Sequence, residues 1–540
     1  MLPGERARPL NARHSLTIDY LIKNGFIING AGKDTAPVEA DIAVAGDRIV
    51  GIGDFSDRQA GKIIDARGLC VCPGFIDAHS HSEFTLLADG RAEGKICQGI
   101  TTEINGNCGL SAAPLYGAAL EQREKDLDEL DIKERWETFP EYFALLGKKG
   151  SAVNFITLAG HGNIRASAAG YTDKPLSESE KEKMRELLAG AMDAGAKGLS
   201  TGLIYPPGIY SGTSELIDLA REAKKYNGIY TTHMRSESDM LLEAVDEVIT
   251  IAERTGARAH ISHLKTGGER NWKKLDAVFE KIGTAHGKGI SLTCDRYPYT
   301  AAGTDLDAVL PSWAFEGGRK KELERLVNER QRLAEDILNE HGDPSYWERI
   351  MISSVNSDRN KWMEGMSLSL VGDSAGKPVL EALFDVLVEE ELQVAAIFFS
   401  MSEDNLRAIL KQPYTVIGSD SSARSFDGVT AKGRPHPRGF GSFPRVLGKY
   451  VRESGTLALS EAIYKMTALP AGIFRIQDRG IIAKGFFADL VVFDPEKIND
   501  RAEFNDPFHK PGGIHHVFIN GVPVVYEGEV TGALPGRVLK

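Results

Sequence analysis

IYTTHMRSESDMLLEAVDEVITIAERTGARAHISHLK, residues 229–265, holds one full repeat of the fold. Residues 229–233 form an apolar, β-rich run suited to a buried strand. Residues 239–256 space their apolar positions as one face of a helix, and 258–263 return to a strand-like run. Strand, helix and strand in this order read as a parallel βαβ unit. Both strand-like runs end on a histidine, His233 and His263.

Similar runs occur on either side, at 71–78, 100–105, 153–160, 198–204, 290–296, 394–400 and 414–419. Most are followed by an amphipathic stretch such as SESEKEKMRELLAGAMDAG, residues 177–195. Alternation repeated about eight times predicts a TIM-like (β/α)8 barrel. The runs exceed eight by one, so one of them is an extra strand or not a strand at all. A polar, helix-rich stretch within about 305–350 predicts an insertion over the barrel mouth. The two chain ends follow a different grammar. DYLIKNGFIINGAGKDTAPVEADIAVAGDRIVGIGD (19–54), GFFADLVVFDP (485–495) and HHVFINGVPVVYEGEV (515–530) are short runs parted by Asn-Gly and Gly-Asp turns. They predict a small β-sandwich-like domain built from 17–69 and 480–540. It flanks a barrel at 70–479, and residues 1–16 form a tail.

The chain has 540 residues, 42% hydrophobic and 26% charged, the balance of a globular enzyme. Its net charge of −12 argues against nucleic acid or an anionic membrane surface as partner. No apolar run reaches the roughly 18–20 residues that span a bilayer, and the charged start lacks a signal-peptide pattern. Five cysteines are too few for a disulfide framework and fit a reducing cytoplasm. The Cys70-Val71-Cys72 pair reads as two small buried hydrophobes.

Several of the apolar runs end in a metal-capable residue. PGFIDAHSHSE brings His79 and His81, TTEINGNCG brings Cys108, AGHGN brings His161, and IGSDSS brings Asp420. Strand ends of a barrel converge on one face, and residues at i and i+2 of a strand point the same way, so His79 and His81 can reach one ion. Singly, each has a plain structural alternative: a hydrogen-bonded strand-end histidine, an inert buried thiol, a helix-capping aspartate. The set in barrel order carries the metal reading. His260 reads as core or as support beneath the ligands.

PGFIDAHSHSE, QGITTEINGNCGLSAAPL, HMRSE, ISHLK, DRYPYTA, GSD and RPHPRGFGSFPRVLG, in this order, resemble the D-aminoacylase (N-acyl-D-amino-acid deacylase) family of the amidohydrolase superfamily. The resemblance runs over nearly the whole chain. It implies a tightly bound zinc on Cys108, His233 and His263. A second, weaker site is implied on His79 and His81 sharing Cys108, with Asp420 as general acid/base. It further implies that Lys265, Tyr297 and Arg438 hold the substrate's α-carboxylate. His161 is expected to meet the carbonyl oxygen or to line the pocket. Zinc chemistry agrees with these roles, because three N/S ligands leave a position for water.

The expected reaction is hydrolysis of an N-acyl-D-amino acid, a small-molecule substrate, to a carboxylate and a free D-amino acid. The alternatives on the same site are a dipeptidase for substrates with a C-terminal D-residue and a cyclic-amide hydrolase. A metal-dependent scaffold without catalysis is the rival from another class, and the intact GSD at 418–420 speaks against it. The spacer SSARSFDGVTAKGRPHPR (421–438) is longer than the family pattern and contains Arg424, which suits either a solvated loop or an acidic side chain. GLIYPPGIYSG (202–212) reads as a rigid apolar wall or a packed loop.

Overall fold

The structure is a computed structural model that describes residues 17–540; the expected tail at 1–16 lies outside them. Three parallel strands, Phe75–Asp77, Ile100–Asn105 and Asn154–Thr157, form one sheet. A second parallel sheet runs in the order Thr415–Ile417, Leu292–Arg296, Arg258–Ile261, Ile229–His233, Gly198–Gly202, Ala159–Gly160. Only Leu158 separates Asn154–Thr157 from Ala159–Gly160, so the two sheets follow on from each other along the chain. At the opposite edges, Ala78 N–H donates to Ile417 O at 3.2 Å, and Ser80 bridges Ser421 in parallel.

The helices between these strands form where the sequence allows capping and one buried face. Glu178–Ala194 starts on a capping box of Ser177 and Glu180 and stops at Gly195, whose φ of 116° suits a residue without Cβ. Leu241–Thr255 buries Leu241, Ala244, Val245, Val248, Ile251 and Ala252, the i, i+3, i+4, i+7 stripe of an amphipathic helix, and ends at Gly256. At roughly 1.5–3 kcal/mol for each large apolar side chain removed from water, that stripe holds the helix against the strands.

Strands from both chain ends pair in one nine-stranded sheet. Its order is Glu529–Val530, Val522–Tyr526, Ile514–Ile519, Leu490–Phe493, Cys70–Pro73, Tyr20–Ile27, Val38–Ala45, Arg48–Gly53, with Lys62–Asp65 added on Tyr20–Ile27. The apolar run at 71–78 is therefore divided. Cys70–Pro73 joins the terminal sheet, and Phe75–Asp77 begins the parallel set. Gly74 stands between them, where a Cβ would lie 2.3 Å from the Thr101 side chain.

The surplus run at 394–400 contains Ala395–Phe399, which pairs antiparallel with both Ala301–Asp305 and Ile350–Ser354 in a separate sheet. An apolar run signals burial but not direction, so this strand was indistinguishable from its parallel neighbours. Between these strands lie the helices Arg319–Asn328, Arg330–Glu340, Leu368–Ala375 and Val379–Glu389. This lobe has its own core, including Leu306, Leu333, Ile337, Trp347, Leu383 and Phe384. No helix among the described residues is long and apolar enough to cross a membrane.

Candidate metal centre

The C-terminal ends of the parallel strands deliver the donors. His79 follows Phe75–Asp77, Cys108 follows Ile100–Asn105, His233 ends its own strand, His263 follows Arg258–Ile261 and Asp420 follows Thr415–Ile417. Cys108 Sγ lies 3.4 Å from His79 Nε2 and 3.4 Å from His263 Nε2. Asp420 Oδ1 lies 3.2 Å from His81 Nε2 and 3.5 Å from His79 Nε2. The donor atoms of His79, Cys108 and His263, of His79, His81 and Asp420, and of His233, Glu237 and His263 form three groups, each within 4.8 Å. Cys108, His263 and Asp420 all have positive φ, 53°, 38° and 52°. Such backbone persists in residues other than glycine only where the surroundings hold it, typically at functional sites.

Charge is arranged to suit a cation. Burial alone raises a thiol; the His79 and His263 imidazoles reverse this and hold Cys108 well below its ordinary value. Burial likewise raises Asp420, and Arg438, then His79 and His263, bring it well below the usual carboxylate range. Both ring nitrogens of His233 are buried without a hydrogen-bond partner, although Nε2 lies 3.4 Å from Glu237 Oε2. A thiolate, several imidazoles and an orphaned buried imidazole make a donor set that fits zinc.

Two carboxylates and an amine support this set. Asp295 Oδ2 lies 3.0 Å from His79 Nδ1 and 3.0 Å from His260 Nε2, while Oδ1 accepts the His263 N–H at 3.0 Å. Glu237 Oε1 lies 2.8 Å from His263 Nδ1 and 2.5 Å from Lys265 Nζ. Sequence reasoning did not single out Asp295 or Glu237. Both stood inside quoted motifs, DRYPYTA and HMRSE, beside a ligand or at a strand end. His260, set aside as core or support, is buried on Asp295.

The donors open into a cavity of about 770 Å³. Lys265, Tyr297 and Arg438 line it with His81, Cys108, His233, His263 and Asp420. The Tyr297 hydroxyl is buried and without a partner, and the Arg438 guanidinium stacks over its ring at 4.7 Å. Arg438 Nη1 lies 2.9 Å from Asp420 Oδ2, and Nη2 donates to Gly303 O at 3.1 Å. Ile204, Tyr205, Pro206 and Ile209 supply the apolar wall expected at 202–212.

His161 departs from expectation. It is fully buried, it is not among the cavity-lining residues, and its Nε2 is 2.8 Å from Glu215 Oε1 and 3.4 Å from Ser211 Oγ. It opens the helix His161–Ala169, whose packing turns it to Glu215 and away from the cavity. Arg424 is also turned from the cavity, donating to Thr430 O at 3.0 Å within its own loop.

A profile of the Amidohydrolase family matches residues 62–309 and 365–525. The D-aminoacylase of Alcaligenes xylosoxydans xylosoxydans is 36% identical over 528 residues, spanning 97% of this chain and 98% of that protein. A crystal structure of N-acyl-D-glutamate deacylase from Bordetella bronchiseptica, complexed with zinc and a phosphonate inhibitor mimicking the tetrahedral intermediate, is 32% identical. It superposes with a TM-score of 0.82, covering 97% of this chain and 99% of that one. A structure of a D-aminoacylase described by its binuclear metal centre is 33% identical, with a TM-score of 0.81 over 97% of this chain and all of that one.

Proposed function

This chain belongs to the amidohydrolases, in the branch of the D-aminoacylases and N-acyl-D-amino-acid deacylases, and from that premise we propose that it hydrolyses N-acyl-D-amino acids to a carboxylate and a free D-amino acid. One observation carries the reading. Cys108 lies 3.4 Å from both His79 and His263, with Asp420 beside the two histidines of HxH, and Cys108, His81, His263 and Asp420 line one cavity.

Cys108, His233 and His263 would hold a tight zinc, and His79 and His81, sharing Cys108, a second and weaker one. When bound, zinc polarises the amide carbonyl and acidifies water. Asp420 takes a proton from the attacking water. It then delivers that proton to the leaving nitrogen as the C–N bond breaks, which an amide requires because it does not expel an unprotonated amine. Arg438 presents a guanidinium fork, Lys265 an ammonium and Tyr297 a free hydroxyl, three donors suited to an α-carboxylate. That grip fixes the scissile carbon beside Asp420. His161 has no part in this reading.

Two further expectations belong here. The parallel strands close into one eight-stranded barrel, a reading supported by the Ala78–Ile417 hydrogen bond between the first and last of them. The five free thiols support a reducing compartment, the cytoplasm.

The test is a panel of N-acetyl-D- and N-acetyl-L-amino acids, dipeptides with a C-terminal D-residue, and hydantoins, with zinc per chain measured on the same preparation. Turnover of N-acetyl-D-amino acids above the other classes is the expected result. Turnover confined to ring substrates or to dipeptides sinks the assignment.

A further inference from the structure

Beneath the metal donors lies a charged cluster that the chemistry above does not use. Lys95, on the short helix Glu93–Ile96, is fully buried. Its Nζ lies 2.8 Å from Asp77 Oδ2 and 2.8 Å from Glu103 Oε1. It also donates to Ser80 Oγ at 3.1 Å, Ser419 Oγ at 2.9 Å and the carbonyl of Ser421 at 2.9 Å. The ammonium thus touches the His79 strand, the Cys108 strand and both neighbours of Asp420.

The partners of Lys95 extend the same lacing. Asp77 Oδ1 accepts the Ser419 N–H at 2.7 Å and the His79 N–H at 3.2 Å, and Oδ2 accepts the Ser419 hydroxyl at 2.6 Å. Glu103 Oε1 accepts the Ser82 hydroxyl at 3.1 Å, and Ser82 Oγ accepts the Ala423 N–H at 2.8 Å. Between these anchors, the Asp420 N–H donates to His79 O at 2.8 Å. Residues 419–423 are thereby fastened to 77–82 on both sides of the acid/base.

A buried charge cluster is weak evidence for stability, since desolvation of the ions offsets their attraction; this one ties the His79 strand, the Cys108 strand and residues 419 and 421 to a single ammonium. Asp420 also adopts a φ of 52°, outside the conformations a non-glycine residue prefers, so neighbouring contacts must hold it there. Ser419 is held by Lys95 and Asp77, and the Ser421 carbonyl accepts from Lys95 Nζ at 2.9 Å and from the His81 N–H at 3.3 Å.

We propose that Lys95, with Asp77 and Ser419 as its relays, is a positioning residue that holds the Asp420 carboxylate in its proton-transfer geometry between His81 and Arg438. This rests on the acid/base role given to Asp420 above. Lys95 itself reaches neither substrate nor metal donor atoms.

The experiment compares the unmodified enzyme with Ser419→Ala, Lys95→Met and Asp420→Asn on the best N-acetyl-D-amino acid of the panel. It reads kcat, KM, zinc per chain and the thermal midpoint. Ser419→Ala and Lys95→Met are expected to lower kcat about tenfold to a hundredfold, with KM within about twofold and zinc per chain unchanged. A Ser419→Ala kcat within about twofold of the unmodified enzyme overturns the proposal, as does a kcat loss matched by an equal loss of zinc. If Lys95→Met does not fold, Ser419→Ala decides alone. Full turnover in Asp420→Asn would instead fail the acid/base reading itself. An inactive Asp420→Asn beside a fully active Ser419→Ala fails only the role of Lys95.

Discussion

Replacing Asp295 with asparagine removes a carboxylate that no ligand list would include. Its two oxygens serve three groups, His79 Nδ1, His260 Nε2 and the His263 backbone N–H, each at 3.0 Å and all fully or almost fully buried. An amide offers one acceptor oxygen where the carboxylate offers two. If that oxygen stays on the His263 N–H, the NH2 group faces both imidazoles. At about 1.5–3 kcal/mol for each hydrogen bond to a charged group, and with tautomer changes recovering part of it, the net cost to folding is about 3–5 kcal/mol. The same change releases the His79 ring from its fixed orientation. Loss of a carboxylate behind a histidine ligand costs about 10–100-fold in metal affinity, or roughly 1.4–2.7 kcal/mol. In the proposed assignment His79 serves the weaker site, so that site should suffer first. The assay is zinc competition against a graded chelator series, with urea unfolding of the same samples. Weak-site affinity and unfolding free energy both equal to those of the unmodified enzyme would refute this account of Asp295.

Arg438→Lys keeps a positive charge but loses the planar fork that stacks on Tyr297 and spans Asp420 and Gly303; KM for N-acetyl-D-amino acids is expected to rise about tenfold or more, measured by steady-state kinetics, and an unchanged KM counts against its carboxylate role. In the lobe, burial first and then the neighbouring Asp307 carboxylate push Glu322 up from its ordinary value. An acid whose folded value is raised stabilises the fold fully below its unfolded value, and that contribution is lost as pH rises through the folded one. The thermal midpoint should therefore fall between about pH 5 and about pH 9, and Glu322→Gln should flatten the fall; an identical slope in the variant contradicts the assignment.

The candidate metal donors were legible as a set: each ends or follows an apolar strand, and their succession in barrel order outweighed the capping or core role open to any one of them. His79, His81, Cys108, His233, His263 and Asp420 all stood out in this way; all six fall in one cluster of donors, five of them lining the cavity and His79 fully buried beside them. His161 shared the same local signal. Its fate was decided by Glu215, 54 residues further along, which no local pattern reveals. Asp295 and Glu237 were hidden for the opposite reason. Asp295 lies inside the strand Leu292–Arg296 and Glu237 in the loop after Ile229–His233, and only the tertiary arrangement shows that each faces an imidazole. Lys95 carries no local signal at all, and its place shows only once its ammonium is seen against Asp77 and Glu103.

The fold was legible to a similar depth. Residues 229–265 displayed the βαβ unit because periodicity changes sharply between strand and helix. The antiparallel lobe was harder to read. Its helices show in the polar stretch before residue 350, but its strand Ala301–Asp305 (AAGTD) has almost no β-forming side chains and is held by pairing with Ala395–Phe399.

The identity of the branch turns on Cys108, and zinc per chain in Cys108→Ala measures it most directly. The unmodified enzyme should retain zinc through extensive dialysis against a chelator. Cys108→Ala should lose the tight zinc and with it the turnover of N-acetyl-D-amino acids. A variant that keeps both its zinc and its activity would contradict the account.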